Sequence, residues 1–217
     1  MTQKSAIICV KLMPKHPQST DARIMHRIQE HGNGWVFTPM HFADLGSRNA
    51  VASALKRFKA ANTIRQVARG VYDYPIKDSI LGTISPSAES IAQSLVVRNA
   101  VRLQPTGAYA ANILGLSEQV PVKITFLTDG PNRHVRIGQR EIILQHTTPR
   151  NMAAAGRKSG TLIQALRYLG KKNIDEKVLS ILKRQIKPED HEQISNDFQY
   201  APSWVADILR SLIKPSV

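Results

Sequence analysis

The sequence of 217 residues has a single cysteine, few acidic residues and no long apolar run. Cys9 has no partner for an internal disulfide, and no cluster of cysteine and histidine has zinc-finger spacing. No apolar run approaches the roughly 20 residues that a membrane helix needs, and the apolar residues 6–12 are too short for a signal-peptide core. These absences predict a cytoplasmic protein that has no membrane partner and no bound metal.

Signatures of catalysis are also missing. The chain has no glycine-rich phosphate loop and no Gly-x-Ser-x-Gly elbow. A metal nuclease is left open by two carboxylates, Asp129 in a predicted turn and Glu141 in a predicted strand, because such groups can hold a metal ion. However, Ile142 and Ile143 follow Glu141, so the lysine of the usual nuclease triplet is absent. We therefore expect no enzymatic activity and no cofactor.

Basic residues are in excess, with 30 Lys and Arg against 16 Asp and Glu, which gives a formal net charge of +14. Because phosphates attract cationic surfaces, this excess favours a polyanionic partner. Residues 47–77 contain seven basic side chains and one acid, and residues 133–187 contain thirteen against three. The second zone has two interpretations of equal weight: solvated helix faces, or a surface for DNA backbone or for an acidic or RNA-bound partner.

Three helices are predicted near the N-terminus, after a tail of residues 1–18 that prolines interrupt. The helices cover residues 19–31, 38–46 and 48–60, and each opens with a serine or threonine suited to an N-cap. Two helices joined by a tight turn that contains glycine are typical of a helix-turn-helix. The second and third helices, with Gly46 between them, fit that pattern.

A β-hairpin is predicted directly after the third helix. Residues 63–67 and 71–74 are β-prone, and Gly70 supplies the turn between them. A hairpin in this position is a wing. Residues 19–77 are therefore predicted to form a winged helix-turn-helix that binds DNA.

Residues 86–217 are predicted to form a second domain, after a boundary rich in serine, proline and glycine at residues 76–87. The expected fold class is α+β, with the N-terminal winged helix joined to a mixed α/β C-terminal domain. That domain should combine a small antiparallel sheet with several helices. Its predicted strands are residues 122–128, 135–137 and 141–146, and its predicted helices are residues 87–100, 106–114, 161–169, 175–186, 188–198 and 202–213.

The third helix has the side-chain distribution that a recognition helix requires. Val51, Ala54, Leu55 and Phe58 form an apolar stripe for the core. The opposite side carries polar and basic residues: Arg48, Asn49, Ser53, Lys56 and Arg57. Since the major groove of DNA admits one helix and is read by exposed donors and acceptors, this side is predicted to enter the groove.

Two kinds of DNA contact are predicted. Base readout is assigned to Arg48, Asn49 and Ser53. Phosphate contacts are assigned to Ser47 at the helix N-terminus and to four basic side chains of the helix and the wing: Lys56, Arg57, Arg65 and Arg69. The alternative, a solvated helix face on a protein-interaction module, stays open.

Five segments of the sequence carry a family resemblance. They are HGNGWVFTPMHFADLGSRNAVASALKRF (31–58), TIRQVARGVYDYP (63–75), LQPTGAYAANILGLSEQVP (103–121), ITFLTDGPNRHVRIG (124–138) and TTPRNMA (147–153). In this order they resemble the AbiEi-like antitoxins of type IV toxin–antitoxin systems, and more narrowly a DUF6088-type branch. The resemblance extends over residues 20–213.

The resemblance implies an antitoxin that takes part in phage defence. Its winged helix would bind inverted repeats in double-stranded DNA of its own promoter and repress the operon. Its C-terminal domain would counteract a nucleotidyltransferase-like toxin of the AbiEii type without a stable complex. By the same resemblance Thr148, Arg150 and Asn151 are functional, while the residues alone suggest that Thr148 caps a following helix, and both can hold. The alternatives are a winged-helix interaction module and a transcriptional regulator without antitoxin activity.

Overall fold

A computed structural model describes residues 19–96 and 101–213. The chain divides into two compact units, one ending at Val97 and the other starting at Arg98. The described residues form an α+β protein with eight α-helices and three small sheets. The predicted tail, residues 1–18, lies outside the described residues. None of the helices in the described ranges combines the length and the apolarity that crossing a bilayer requires.

The first unit opens with helix α1, Thr20–His31. Ser19 is its N-cap, because the Ser19 hydroxyl accepts a hydrogen bond of 3.1 Å from the backbone N–H of Ala22. Ile24, Met25 and Ile28 recur at helical spacing and are buried. The prediction of this helix and of its cap is confirmed.

The segment between α1 and the next helix departs from the prediction of an α-helix. It is a 3₁₀ turn, Pro39–Phe42. The N–H of Thr38 donates to Nδ1 of His41 at 3.1 Å, and the Phe42 ring is fully buried in edge contact with Phe37. A buried aromatic ring and local hydrogen bonds therefore help to fix the segment, and the 3₁₀ turn ends at Phe42, with Ala43 as its C-cap.

Helix α2, Arg48–Ala60, follows with the predicted bounds. Its N-cap is Ser47, whose hydroxyl accepts from the N–H of Ala50 at 3.2 Å. Its buried side is the predicted apolar stripe, in which Val51 and Leu55 are almost fully enclosed. The core around it combines α1, the 3₁₀ turn and α2, and its buried members are Ile24, Met25, Ile28, Phe37, Phe42, Val51, Ala54, Leu55, Phe58 and Ile64.

A three-stranded antiparallel sheet completes this core. Its strands are β1 (Val36–Phe37), β2 (Arg65–Ala68) and β3 (Val71–Asp73), in the order β1-β3-β2. Strands β2 and β3 form the predicted hairpin, and Gly70 in its turn has a φ of 74°, in the left-handed region that favours glycine. A register shift between Gln66 and Ala68 marks an irregularity in β2.

A short hairpin and a helix close the first unit. The strands are β4 (Lys77–Asp78) and β5 (Gly82–Thr83), and the helix is α3 (Ala88–Ser94). Helix α3 is part of the unit that ends at Val97, whereas the sequence placed the domain boundary at residues 76–87. The last part of the predicted helix 87–100, residues 97–100, lies outside the described residues.

The second unit contains a four-stranded sheet. Its strands are β6 (Leu103–Thr106), β7 (Lys123–Thr128), β8 (Arg133–Ile137) and β9 (Arg140–His146), in the order β6-β7-β9-β8. The pair β8–β9 is antiparallel, as predicted, and strand β6, which the sequence analysis did not predict, also pairs antiparallel with β7. The central pair β7–β9 is parallel, so the prediction of a purely antiparallel sheet is wrong there. Strand β7 does not pair with β8, the next strand in the chain, but with β9, whose buried residues Ile142 and Leu144 lie opposite Ile124 and Phe126.

Five helices build the larger core, and α4 and α5 pack against the sheet. They are α4 (Gly107–Ile113), α5 (Lys158–Leu169), α6 (Glu176–Gln185), α7 (His191–Asn196) and α8 (Ser203–Ile213). The Tyr109 ring of α4 meets the Phe126 ring of β7 edge-on at 5.5 Å. The predicted helix 188–198 is divided into a 3₁₀ turn, α7 and a second 3₁₀ turn. Asp197 ends α7 and is buried, where it accepts a hydrogen bond from Ser159 and pairs with Arg157.

Candidate nucleic-acid interface

The outward side of α2 presents polar side chains to solvent. Arg48, Asn49, Ser53 and Lys56 are all exposed, on the side opposite the buried stripe of α2. None of the four forms a side-chain hydrogen bond or an ion pair with a residue that the structure describes. Their donors and acceptors are therefore available to a ligand, as predicted recognition residues require. We call these four residues the open face of α2.

Arg57 lies on the same helix but already has a partner. Its Nε and Nη2 atoms donate to the two carboxylate oxygens of Asp21 on α1, at 2.9 and 2.6 Å. Donating these hydrogen bonds to Asp21 raises the pKa of the Arg57 guanidinium above its usual value. In the described structure Arg57 therefore links α2 to α1, and its predicted phosphate contact is untested.

Arg65 is held in a similar way. It stands directly opposite Asp73 in the β2–β3 ladder and donates to both oxygens of that carboxylate, at 3.1 and 2.5 Å. A further hydrogen bond of 2.9 Å reaches the carbonyl oxygen of Ile84. Asp73 is only 1% exposed, so this pair neutralises a buried charge and fixes the hairpin to the segment before α3. The predicted phosphate contact of Arg65 is likewise untested.

Arg69 occupies the turn of the hairpin. It is exposed, and it forms no hydrogen bond or ion pair within the parts of the chain that the structure describes. Nearby, Lys59 at the end of α2 donates to the side chain of Gln66 on β2 at 2.7 Å. That contact connects the helix to the hairpin and leaves the charge of Lys59 unpaired, because glutamine is neutral.

A clamp that the sequence did not reveal fixes the turn before α2. Arg27 on α1 donates to both carboxylate oxygens of Asp44 at 2.7 Å and to the carbonyl oxygen of His41 at 2.7 Å. The hydrogen bond from Arg27 lowers the pKa of Asp44 to about 2. Arg23 on α1 adds a bond of 2.5 Å to the carbonyl oxygen of Leu45. These contacts cross the turn, so they set the position at which α2 begins.

The segment around Thr148 in the second unit forms a chain of turns rather than a helix. The N–H of Asn151 donates to the carbonyl oxygen of Thr148 at 3.0 Å, and the next helix, α5, begins only at Lys158. The idea that Thr148 caps a following α-helix is therefore wrong, because the chain turns again before it can propagate one. Arg150 is exposed, and Asn151 is half-buried with its amide nitrogen 2.9 Å from Oγ1 of Thr147.

The two carboxylates of the nuclease alternative lie at opposite ends of the parallel strand pair. Glu141 is level with Lys123 at the start of β7, whereas Asp129 follows Thr128 at its end. At about 3.3 Å per residue this places them on the order of 20 Å apart, too far to share one metal ion. Each is also paired with an arginine: Asp129 with Arg102, and Glu141 with Arg136. This pair of residues therefore does not form a metal centre.

Residues 23–194 match the model of a family described as a family of unknown function, DUF6088. The chain belongs to the DUF6088 family. None of the curated proteins matches the chain. The family match of this DUF6088 member includes the whole of α2, the β2–β3 hairpin, the four-stranded sheet and α5.

Proposed function

We propose that this DUF6088 protein is an antitoxin and transcriptional autorepressor of a toxin–antitoxin operon. It binds inverted repeats in its own promoter through its first unit and counteracts a nucleotidyltransferase-like toxin through its second. The observation that carries the DNA-binding half is the open face of α2, where Arg48, Asn49, Ser53 and Lys56 are exposed and unpaired among the described residues. Such a function would place the protein in the cytoplasm, beside the DNA.

We assign the first unit to the winged-helix class. The order of its elements supports this assignment: helix α1, strand β1, a short turn, helix α2 and then the hairpin β2–β3. In this assignment α2 is the recognition helix, and the hairpin, with Arg69 at its turn, is the wing that reaches the neighbouring backbone. The short 3₁₀ turn replaces the second helix of a longer helix-turn-helix.

The chemistry of the open face fits a major groove. Arg48 can donate two hydrogen bonds to guanine and Asn49 can pair with adenine, each supplying about 1–3 kcal/mol of discrimination. Lys56 and Arg69 provide unpaired charge for phosphates. We assign Arg57 and Arg65 to positioning rather than to DNA contact, because Asp21 and Asp73 already occupy their guanidinium groups.

The antitoxin half of the proposal is supported by the likeness of five segments to AbiEi-like antitoxins. These segments lie in both units, from the turn after α1 to the segment around Thr148. In this proposal the second unit is not an enzyme and needs no cofactor. It opposes the toxin without a stable complex.

Gel shifts on the region upstream of the gene test the DNA-binding half. We expect Arg48→Ala with Asn49→Ala to weaken binding about tenfold or more at fixed salt, since two base contacts are lost. The matched control is Gln139→Ala with Arg140→Ala, which removes an adjacent amide and guanidinium that are exposed in the second unit. Equal affinity of the recognition variant and the wild type would contradict the assignment of α2.

Co-expression with a neighbouring nucleotidyltransferase gene tests the antitoxin half. We expect the wild-type protein and the Arg48→Ala, Asn49→Ala variant both to restore growth, since neutralisation is assigned to the second unit. Promoter binding without any rescue would make the protein a regulator alone. Failure to bind DNA at every salt concentration, together with a stably bound protein partner, would favour the interaction-module alternative.

A further inference from the structure

An open cleft in the second unit has the features of an anion site. It is shallow and open to solvent, and it lies between the turns after β9, helix α5 and the 3₁₀ turn that precedes α8. Two arginines, Arg150 and Arg167, line it together with Asn151, Gln164 and Tyr200. No aspartate or glutamate is among the described residues that line it. The lining is therefore cationic, with no carboxylate to neutralise it.

Three polar groups of the cleft have no hydrogen-bond or ion-pair partner among the described residues. Arg150 and Arg167 are exposed, and neither guanidinium has a hydrogen bond or an ion pair with a described residue. The hydroxyl group of Tyr200 likewise lacks a partner within the described ranges. By contrast, the other arginine of this region, Arg157, is committed to the buried carboxylate of Asp197. The guanidinium groups of Arg150 and Arg167 and the hydroxyl of Tyr200 are therefore available to a ligand.

Gln164 adds a further donor to the cleft. Its side chain is only 7% exposed, and its Oε1 atom accepts a hydrogen bond of 2.9 Å from the hydroxyl of Thr106. That bond fixes the amide, whose nitrogen donates to no described residue while the residue lines the cleft. The amide nitrogen is not sealed in the core, so it can donate to a group that enters the cleft. Gln164 and the two arginines therefore bring several hydrogen-bond donors to the same cleft.

We propose that this cleft binds the terminal phosphoryl group of a phosphate monoester. A phosphate monoester carries a charge near −2, about −1.5 to −2 at neutral pH, which two guanidinium groups match, whereas one carboxylate would leave a positive charge unpaired. Its three terminal oxygens accept hydrogen bonds from Arg150, Arg167 and the Gln164 amide. Because the cleft is open, the phosphoryl end enters it and the remainder of the ligand stays at the surface. The source is a free nucleotide or the 5′ end of a nucleic-acid strand.

Calorimetry with adenosine monophosphate and the full-length protein tests the site. We expect Arg150→Gln with Arg167→Gln to weaken binding at least about tenfold, because each lost contact is a hydrogen bond between charged groups. The matched control is Arg133→Gln with Arg140→Gln, which makes the same change of charge at two exposed arginines of the sheet and should leave affinity within about twofold. Absence of binding, or an equal loss in both double variants, overturns the proposal.

A second measurement distinguishes the two sources. A single-stranded hexanucleotide with a 5′ phosphate is compared with the same strand carrying a 5′ hydroxyl. Tighter binding of the phosphorylated strand than of the nucleotide, lost in the cleft variant, identifies a strand end, and the reverse order identifies a free nucleotide. Equal binding of both strands by the wild type and the cleft variant counts against a phosphoryl site.

The cleft is independent of the DNA-binding proposal. The Arg150→Gln, Arg167→Gln variant is expected to shift promoter DNA as the wild type does, since both changes lie in the second unit. A wild-type protein that binds no promoter would therefore refute the proposed regulator and leave the cleft to be judged by calorimetry alone.

Discussion

Arg57 on α2 holds Asp21 on α1 through two contacts, Nε to Oδ2 at 2.9 Å and Nη2 to Oδ1 at 2.6 Å. The pair links residues 36 positions apart in the chain and sits beside the open face of α2. A basic side chain on a helix that we propose binds DNA can therefore serve to hold two helices together instead. An Arg57 that pairs with Asp21 and an Arg57 that contacts phosphate predict different effects of mutating Asp21.

A double-mutant cycle on this pair separates them. We expect Arg57→Ala and Asp21→Ala to be only weakly coupled in urea unfolding, since the Arg57 side chain is 58% exposed and solvent weakens such pairs. Asp21→Ala alone should not improve promoter binding. If Asp21→Ala strengthens binding by releasing Arg57, the arginine belongs with the phosphate contacts.

Lys56 and Asn49 should differ in how they affect DNA binding. Lys56→Ala is expected to weaken binding to all sequences alike and to reduce the slope of log K against log salt by about 1, because one phosphate contact is lost. Asn49→Ala is expected to leave that slope unchanged and to relax the preference at one base pair. Filter-binding titrations over a range of salt, with operator and scrambled DNA, make both measurements. A steeper salt dependence in the Lys56 variant would argue against its role.

Asp73 should matter more for stability than Asp21. Its carboxylate is buried and accepts two hydrogen bonds from Arg65, so Asp73→Ala leaves the guanidinium without its partner. We expect a loss of about 2–3 kcal/mol in the free energy of unfolding of the first unit. Thermal unfolding followed by circular dichroism measures it, with Asp21→Ala as the exposed control. Equal effects of the two substitutions would contradict this difference in burial.

The Arg27–Asp44 clamp should make stability depend on pH in the acid range. The pKa of Asp44 is about 2, below the usual value of about 3.9, so its stabilisation is complete above about pH 4. The stabilisation is lost as the pH falls through 4 toward 2, because the carboxyl then binds a proton in the folded state as well. We expect wild type to exceed Asp44→Asn in melting temperature at pH 7, with a difference that shrinks as the pH falls below 4 and disappears only below pH 2. A difference that is constant with pH would exclude this clamp as the cause.

Local signals in the sequence were sufficient for α1 and α2. Ser19 and Ser47 can cap a helix through their own hydroxyls, and the apolar spacing that follows each of them needs no distant information. The same holds for the hairpin β2–β3, where Gly70 adopts the left-handed backbone conformation that the turn requires. Strand β6 was missed because its four residues include Pro105 and show no period of two, and a proline is tolerated there because β6 is an edge strand.

The partners of individual arginines could not be predicted in the same way. Arg48 and Arg57 are both basic residues on α2, yet only Arg57 lies against Asp21 of another helix. Arg150 likewise lines the same cleft as Gln164 and Arg167 of α5 only because the turns after β9 meet that helix in the folded chain. These assignments depend on tertiary contacts between distant residues, which composition and periodicity do not contain.

The parallel pairing of β7 with β9 imposes an order of assembly on the second unit. Strand β8 lies outside β9, so β7 cannot pair with its immediate chain neighbour and must wait for the strand after it. The local hairpin β8–β9 closes a short loop and should form first, then dock onto β7 as one body. Pulse-labelled hydrogen exchange during refolding should therefore protect the amides of the β8–β9 ladder before those of β7. A nascent chain that ends before Arg140 would lack β9, the strand that joins β7 to β8 in the sheet.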